Sequence, residues 1–335
     1  MARRIAILGV NGQVGAELAL LLHARQDCEV VGYLRAEYGA VLCHLAGIPY
    51  RVTTEALDLR EFDTVVDAAI PSGDNSTLGS QIEALVDRHL RAMKPGAAYV
   101  YLSSIMAMGM PASEASAQVY RIARTPYAAA KRAAERHCLN TGRARGIRAI
   151  AVRLGQVHGL FQSAAQDFVE KLSHPIASTN GGPDDLLNTV FIAELVDFLG
   201  RGSEHSLTPG VYYAVSQPQW RQREFFDYVQ RRFGGSCDVR YGAPVENPGL
   251  RQQAIGLAEA YLLGAIPAVA VAVKGWYRTR QAAAPPYIAD VNALVNLLGP
   301  TPGPNLPFKL TRDELERQDL LVAQMLDEAL AKAIA

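Results

Sequence analysis

Tyr127-Ala128-Ala129-Ala130-Lys131 is the pair of side chains in this sequence best spaced to move a proton. The surrounding stretch reads as a helix through Cys138, so the i, i+4 spacing puts phenol and ammonium on one face. Three alanines between them keep that face uncrowded. A phenol titrates at about 10 in water, too high for a base at neutral pH, and a neighbouring ammonium would favour phenolate. Tyr127 could then take an alcohol proton in an oxidation or give one to a carbonyl oxygen in a reduction. Upstream, the run Ala98-Tyr99-Val100-Tyr101-Leu102 reads as a strand and ends in Ser103-Ser104. A hydroxyl at a strand tip can hold a substrate oxygen and stabilise developing alkoxide. Taken singly these are a packed tyrosine, a solvated lysine and loop serines; their conjunction in this order is what points to chemistry.

The second constellation is Gly9-Val10-Asn11-Gly12-Gln13-Val14-Gly15, directly after an apolar run and at the start of a helical pattern. Gly9 permits a tight turn, Gly12 lets backbone N–H groups approach a pyrophosphate, and Gly15 lets the helix pack close to the sheet. An anion would sit at the helix N-terminus, where unpaired N–H groups and the dipole favour it. The predicted cofactor-binding residues are Gly9, Asn11, Gly12, Gln13, Val14 and Gly15, with Ala69 after the run Thr64–Asp67, and Tyr127 and Lys131 at the nicotinamide ribose. The second strand-like run ends at Tyr33-Leu34-Arg35, where a carboxylate would select NAD(H) by accepting from the ribose 2′-OH. Neither Leu34 nor Arg35 is acidic, and a guanidinium fork suits a 2′-phosphate, so NADP(H) is favoured over NAD(H).

The scaffold that must position these groups is written in the periodicity. Strand-like runs at Ile5–Leu8, Glu29–Tyr33, Thr64–Asp67, Ala98–Leu102 and Ile147–Arg153 alternate with amphipathic stretches such as Val14–Arg25 and Gln81–Met93. That rhythm predicts an α/β fold with a doubly wound parallel sheet and right-handed crossovers. Turn signals gather over Ser173–Asp185, and helical patterns resume at Ile192–Leu199, Arg223–Phe233 and Asp313–Ala333. The expected organisation is a Rossmann-type dinucleotide domain over residues 1–160, with segments returning near 187–215. A smaller, discontinuous α/β substrate-binding region covers 161–335.

Lys+Arg and Asp+Glu are equal at 33 each, so no net charge draws the whole chain to nucleic acid or an anionic membrane, and a local site must select the substrate. Four dispersed cysteines form no C-x-x-C pair, which favours a reducing, cytoplasmic setting, and the seven histidines form no ligand cluster, so no metal site is expected. The apolar run after Met1-Ala2-Arg3-Arg4 is too short for a signal peptide. Residues 256–275 are mostly apolar but carry Glu259 and Pro267, and are expected to form a buried or subunit-contact helix rather than a membrane span, with a membrane-surface contact as the alternative.

The glycine loop, Ser103-Ser104 followed by Gly109, Tyr127-x-x-x-Lys131 and Arg153-Leu154-Gly155-Gln156-Val157-His158-Gly159 together resemble the extended short-chain dehydrogenases/reductases, the NAD(P)-dependent epimerase/dehydratase family. The resemblance covers about residues 3 to 230. It implies that Ser104, five positions before Gly109, completes a Ser-Tyr-Lys set, with Ser103 as the fallback. It also implies weaker substrate contacts from Gln156 and His158, which stand where the family usually has Asn and Tyr, and from Arg280 on a sugar diphosphate. In the family's dehydratases an Asp-Glu pair follows the hydroxyl residue; Ile105-Met106 stand here, which disfavours dehydration. Glu194 looks like the replacement for an acid of the family's His-x-Asp-Asp stretch.

The reading is an NADP(H)-dependent oxidoreductase interconverting a carbonyl and a secondary alcohol on a small polar or sugar-like substrate, assembled as a homodimer. A nucleotide-sugar epimerase that retains its cofactor is the close alternative. A non-catalytic dinucleotide sensor is the alternative of another class, and it has no need of a proton donor.

Overall fold

In the computed structural model, residues 2–53, 57–71, 77–108, 110–111, 120–121, 125–242, 288–290 and 301–334 are described. The chain divides into two compact units. The first comprises Met1–Gln166, Leu187–Trp220 and Leu297–Ala335; the second comprises Asp167–Leu186 and Arg221–Asn296. The C-terminal segment, grouped by sequence with the substrate region, thus packs with the first unit: its helix Arg312–Ile334 stands against Ile192–Gly200.

A seven-stranded parallel sheet forms the first unit. Strands β1 (Arg3–Leu8), β2 (Cys28–Leu34), β3 (Tyr50–Val52), β4 (Thr64–Asp67) and β5 (Ala98–Ser104) are joined by Arg148–Leu154 and Gly210–Ala214. Their spatial order is Gly210–Ala214, Arg148–Leu154, β5, β4, β1, β2, β3. Helices α1 (Gln13–His23), α2 (Val41–Ala46), α3 (Leu78–Arg91) and α4 (Pro126–Ala144) cross between the strands.

Strict alternation along the strands feeds two apolar layers, one on each face. Ile5 and Ile7 of β1 and Val100 and Leu102 of β5 point into one cluster with α1. Ala6 and Leu8, and Tyr99 and Tyr101, point into the other, with α3 and α4. Such continuous apolar runs are what a sheet covered on both faces requires.

Register sets the site. Leu8 pairs with Asp67 and Asp67 with Tyr101, so β1 and β4 end level, while β5 and Arg148–Leu154 run three residues further, to Ser104 opposite Leu154. In open α/β sheets ligands bind at the carboxyl ends of the strands.

The second unit holds parallel strands Asp238–Tyr241, Ile176–Thr179 and Ile288–Asp290, with helix Gln222–Phe233. Phe168 packs at a tilt against Phe225 and Phe226, 5.3 and 5.1 Å between ring centroids, giving this unit its own aromatic core. Among the described residues no helix is long and apolar enough to cross a membrane; the 256–275 segment lies outside them.

Candidate active site

The loop from β1 to α1 is shaped by contacts that only glycine allows. Gly9 has φ +79°, and a Cβ there would stand 2.8 Å from the Ala69 Cα and 2.9 Å from its nitrogen. A Cβ on Gly15 would collide with the Gly9 carbonyl oxygen, which accepts the Gly12 N–H at 2.9 Å. The turn is therefore tight from three sides, and it opens on a cavity of about 780 Å³. Gly9, Asn11, Gly12, Gln13 and Val14 line one wall; Arg35, Thr53, Ala68, Ala69 and Ile70 line another. Helix α3 supplies Gln81, Ala84, Leu85 and Arg88, one helical face. Gly15 is buried behind the turn, where it sets the approach of α1. A cradle that a Cβ would fill, at a helix N-terminus and beside an exposed arginine, fits a dinucleotide.

The proton-moving set lies along β5 and α4. Thr125 caps α4 by accepting the Ala128 N–H at 3.2 Å, and Pro126 opens the helix. One turn in, the half-buried Tyr127 lies near the side chain of Ser104 at the end of β5. Lys131 is buried at 2% exposure, donates to the Leu102 carbonyl at 2.9 Å, and stands 4.8 Å from the Tyr101 ring centroid and 5.9 Å from that of Tyr127. Burial pushes the Lys131 ammonium down to about 8, against the opposing pull of Asp67 and Glu135. Burial also pushes the Tyr127 phenol up, opposed by the nearby Ser104 side chain. The sequence expectation that Lys131 favours phenolate is not met in this arrangement: desolvation dominates, and the ammonium is closer to Tyr101. Tyr127 is held as a phenol, a proton donor.

Ser103 and Ser104 have separate tasks. Ser103 is buried and donates to Glu135 at 2.6 Å; Glu135 in turn takes Arg153 bidentately at 2.9 and 2.8 Å, and Arg153 donates to the Tyr213 hydroxyl at 2.8 Å. That network ties α4 to the sheet. Ser104 also accepts the Met106 N–H at 3.2 Å and so starts the short 3-10 turn Ile105–Ala107, which carries no acid or base.

Of the weaker predicted contacts, Gln156 is half-buried in a two-stranded pair with Thr189–Phe191. His158 is buried at 5% exposure, packed 4.6 Å from the Phe191 ring centroid, with Nε2 3.8 Å from Asp319. Arg280 and Gly109 lie outside the described residues. Trp220 is buried beneath the Arg312 guanidinium, 3.5 Å from its ring centroid. Among the described residues, the cavity wall does not include Ser104, Tyr127 or Lys131.

Glu194 is buried and accepts the Phe191 N–H at 3.0 Å and the Ser216 hydroxyl; burial pushes it up to about 7. An unfolded glutamate ionises near 4.3, so stability is lost as pH rises from about there to about 7. Glu194→Gln keeps an acceptor oxygen for both donors. Its urea midpoint should therefore fall less than the wild type's between pH 5 and pH 8, a difference of up to about 3 kcal/mol. Parallel slopes would remove the assignment.

The sequence reading missed Asp67, His89 and Tyr99. All three are buried, and Asp67 accepts from His89 Nδ1 at 2.9 Å, from the Tyr99 hydroxyl and from the Ala69 N–H at 3.0 Å. His89 also lines the cavity. The available signal was an acid at the end of an otherwise apolar strand-like run.

The model for the NAD dependent epimerase/dehydratase family matches residues 5–187. No curated protein matches the chain in sequence. Among solved structures, the fold is similar to UDP-glucuronic acid 4-epimerase from Bacillus cereus, at TM-score 0.55 and 13% identity, covering 96% of this chain and 99% of that one. It is also similar to UDP-N-acetylglucosamine 4-epimerase from Bacillus cereus, at TM-score 0.55 and 16% identity over 74% and 88% of the two chains. A third is dTDP-glucose 4,6-dehydratase from Streptomyces venezuelae, at TM-score 0.51 and 18% identity over 71% and 84%. At these identities the likeness is one of fold.

Proposed function

Because this chain belongs to the NAD dependent epimerase/dehydratase family, we propose that it is an NADP(H)-dependent oxidoreductase that reduces a carbonyl to a secondary alcohol on a small polar or sugar-like substrate. The observation that carries the reading is the placement of Tyr127 near Ser104 at the carboxyl end of β5, with Lys131 one helical turn away. A dinucleotide held by the Gly9–Gly15 turn would supply the hydride for the carbonyl carbon when bound. Ser104 orients the substrate oxygen with its hydroxyl, and Tyr127 gives that oxygen a proton as negative charge develops on it. Lys131 lends positive charge beside the reacting oxygen and holds the nicotinamide ribose. Among the residues of Ile105–Ala107 no acid–base pair follows Ser104, so elimination of water has no partner there.

Arg35 lines the cavity, and among the described residues that line it no acid stands to receive a ribose 2′-OH, which supports NADP(H) over NAD(H). Arg35→Asp should invert the ratio of kcat/KM for NADPH and NADH, with a loss of about 10-fold or more on NADPH. An unchanged ratio would refute the role of Arg35.

The family's name keeps a second reading in play, a nucleotide-sugar epimerase in which the cofactor is reoxidised on the same substrate. The two separate in one assay. A screen of sugar-nucleotide and small carbonyl substrates that follows NADPH absorbance detects a reductase as net consumption. An epimerase inverts a stereocentre with no net change.

A further inference from the structure

Four charged side chains lie buried or nearly so around β5. Glu135 and Arg153 satisfy one another in a bidentate pair. Lys131, at 2% exposure, and Asp67, at 1%, remain; Asp67 meets His89 Nδ1 at 2.9 Å, an ion pair only when that imidazole is protonated. Isolated charges are costly in an interior and are found there paired. Asp67 is opposite Tyr101 in the β4–β5 register, and the Lys131 ammonium stands over that same Tyr101 ring while bound to the next residue's carbonyl. The other groups on Asp67 are neutral donors or donate equally well when neutral: the Tyr99 hydroxyl, the Ala69 N–H and His89 Nδ1.

We propose that Asp67 is a positioning residue of the proton-transfer site, the counter-ion that keeps the Lys131 ammonium buried over Tyr101 beside Tyr127. One carboxylate then serves both halves of the site. Its first oxygen fixes the Ala68–Ala69 turn against Gly9, and its charge balances the lysine. The titratable groups around Lys131 are Asp67 from β4, Tyr99 and Tyr101 from β5, and Tyr127, Glu135 and Cys138 from α4; His89 of α3 and Arg153 reach it through Asp67 and Glu135. Burial lowers Lys131, and Asp67 is the first group that opposes it. Burial alone would raise Asp67, but His89, Tyr99 and the Ala69 N–H outweigh it, so the carboxylate is ionised.

The consequence for turnover rests on the proposed role of Lys131; the pairing itself does not. The test is therefore read without substrate. In protein labelled with 13C-lysine, the Lys131 Cε resonance, assigned by its loss in Lys131→Arg, should titrate at about 8. In Asp67→Asn, which keeps an oxygen for the Ala69 N–H, that midpoint should fall by about one pH unit or more. A midpoint unmoved in a folded Asp67→Asn protein overturns the proposal. Should that variant not fold, Lys131→Met gives the reciprocal measurement. The Asp67 carboxyl 13C midpoint should then rise from its wild-type value, and a midpoint that does not move overturns the pairing. If the midpoint moves as expected but Tyr127→Phe keeps its activity, the counter-ion stands and the proposed chemistry falls.

Discussion

Tyr127→Phe should lower kcat for carbonyl reduction by about 100- to 10,000-fold, the contribution usual for a positioned general acid. Dinucleotide affinity should change less than about twofold. The phenol reaches the reacting oxygen only through its hydroxyl; the ring and its packing beside the second apolar layer remain. Ser104 keeps the Met106 N–H when Tyr127 loses its hydroxyl, so the turn at the end of β5 has no reason to move. The expected cost in stability is at most about 1 kcal/mol. Stopped assays of NADPH consumption, with Kd by calorimetry on the same preparation, separate the two quantities. Turnover within about threefold of wild type would assign the proton to another donor.

The pH dependence follows from the same geometry. Burial raises the Tyr127 phenol, so it stays protonated through neutral pH. Lys131 loses its proton at about 8, before the phenol does. The decline of reductase activity on the alkaline side should therefore track the lysine. In Tyr127→Phe any residual rate should keep that alkaline limb, because the lysine is still there.

What was legible in the sequence was what chain-local physics decides. Alternation in β1 puts Ile5 and Ile7 on one face and Ala6 and Leu8 on the other, and a glycine turn between strand and helix needs no distant partner. The Tyr127–Lys131 spacing is likewise a property of one helix. The choice between Ser103 and Ser104 was half-legible. Ser103 shares the parity of Tyr99 and Tyr101, so its side chain faces α4, where Glu135 takes it. What stayed hidden joins residues far apart in the chain. Asp67 meets His89 only because α3 crosses back beside β4, and Glu135 meets Arg153 only because α4 lies over its strand. The burial that reverses the expected direction of Tyr127 is equally non-local. Spacing can place an ammonium beside a phenol, but only packing says how dry the phenol is.

The other large effect falls at Gly15. Gly15→Ala should weaken dinucleotide binding by roughly 10- to 100-fold, the equivalent of the 1–3 kcal/mol that overpacking costs. A methyl group there meets backbone: the Gly9 carbonyl oxygen, its carbon at 3.0 Å and the Val10 Cα at 3.3 Å. No side chain can rotate away, so either α1 slides or the turn opens. The turn is held on its far side by Ala69, whose position the Asp67 carboxylate fixes. Sliding α1 is the remaining response, and it withdraws the helix N-terminus that would face the pyrophosphate. Gly79→Ala makes the matched control. Its Cβ would stand 3.9 Å from Ala130, ordinary contact, on the first turn of α3. That change should leave binding intact and leave stability unchanged or raised by up to about 1 kcal/mol, because alanine favours helix over glycine. Calorimetric Kd values for NADP+ on both variants decide it. Affinity within twofold of wild type in Gly15→Ala would mean the phosphates are held elsewhere.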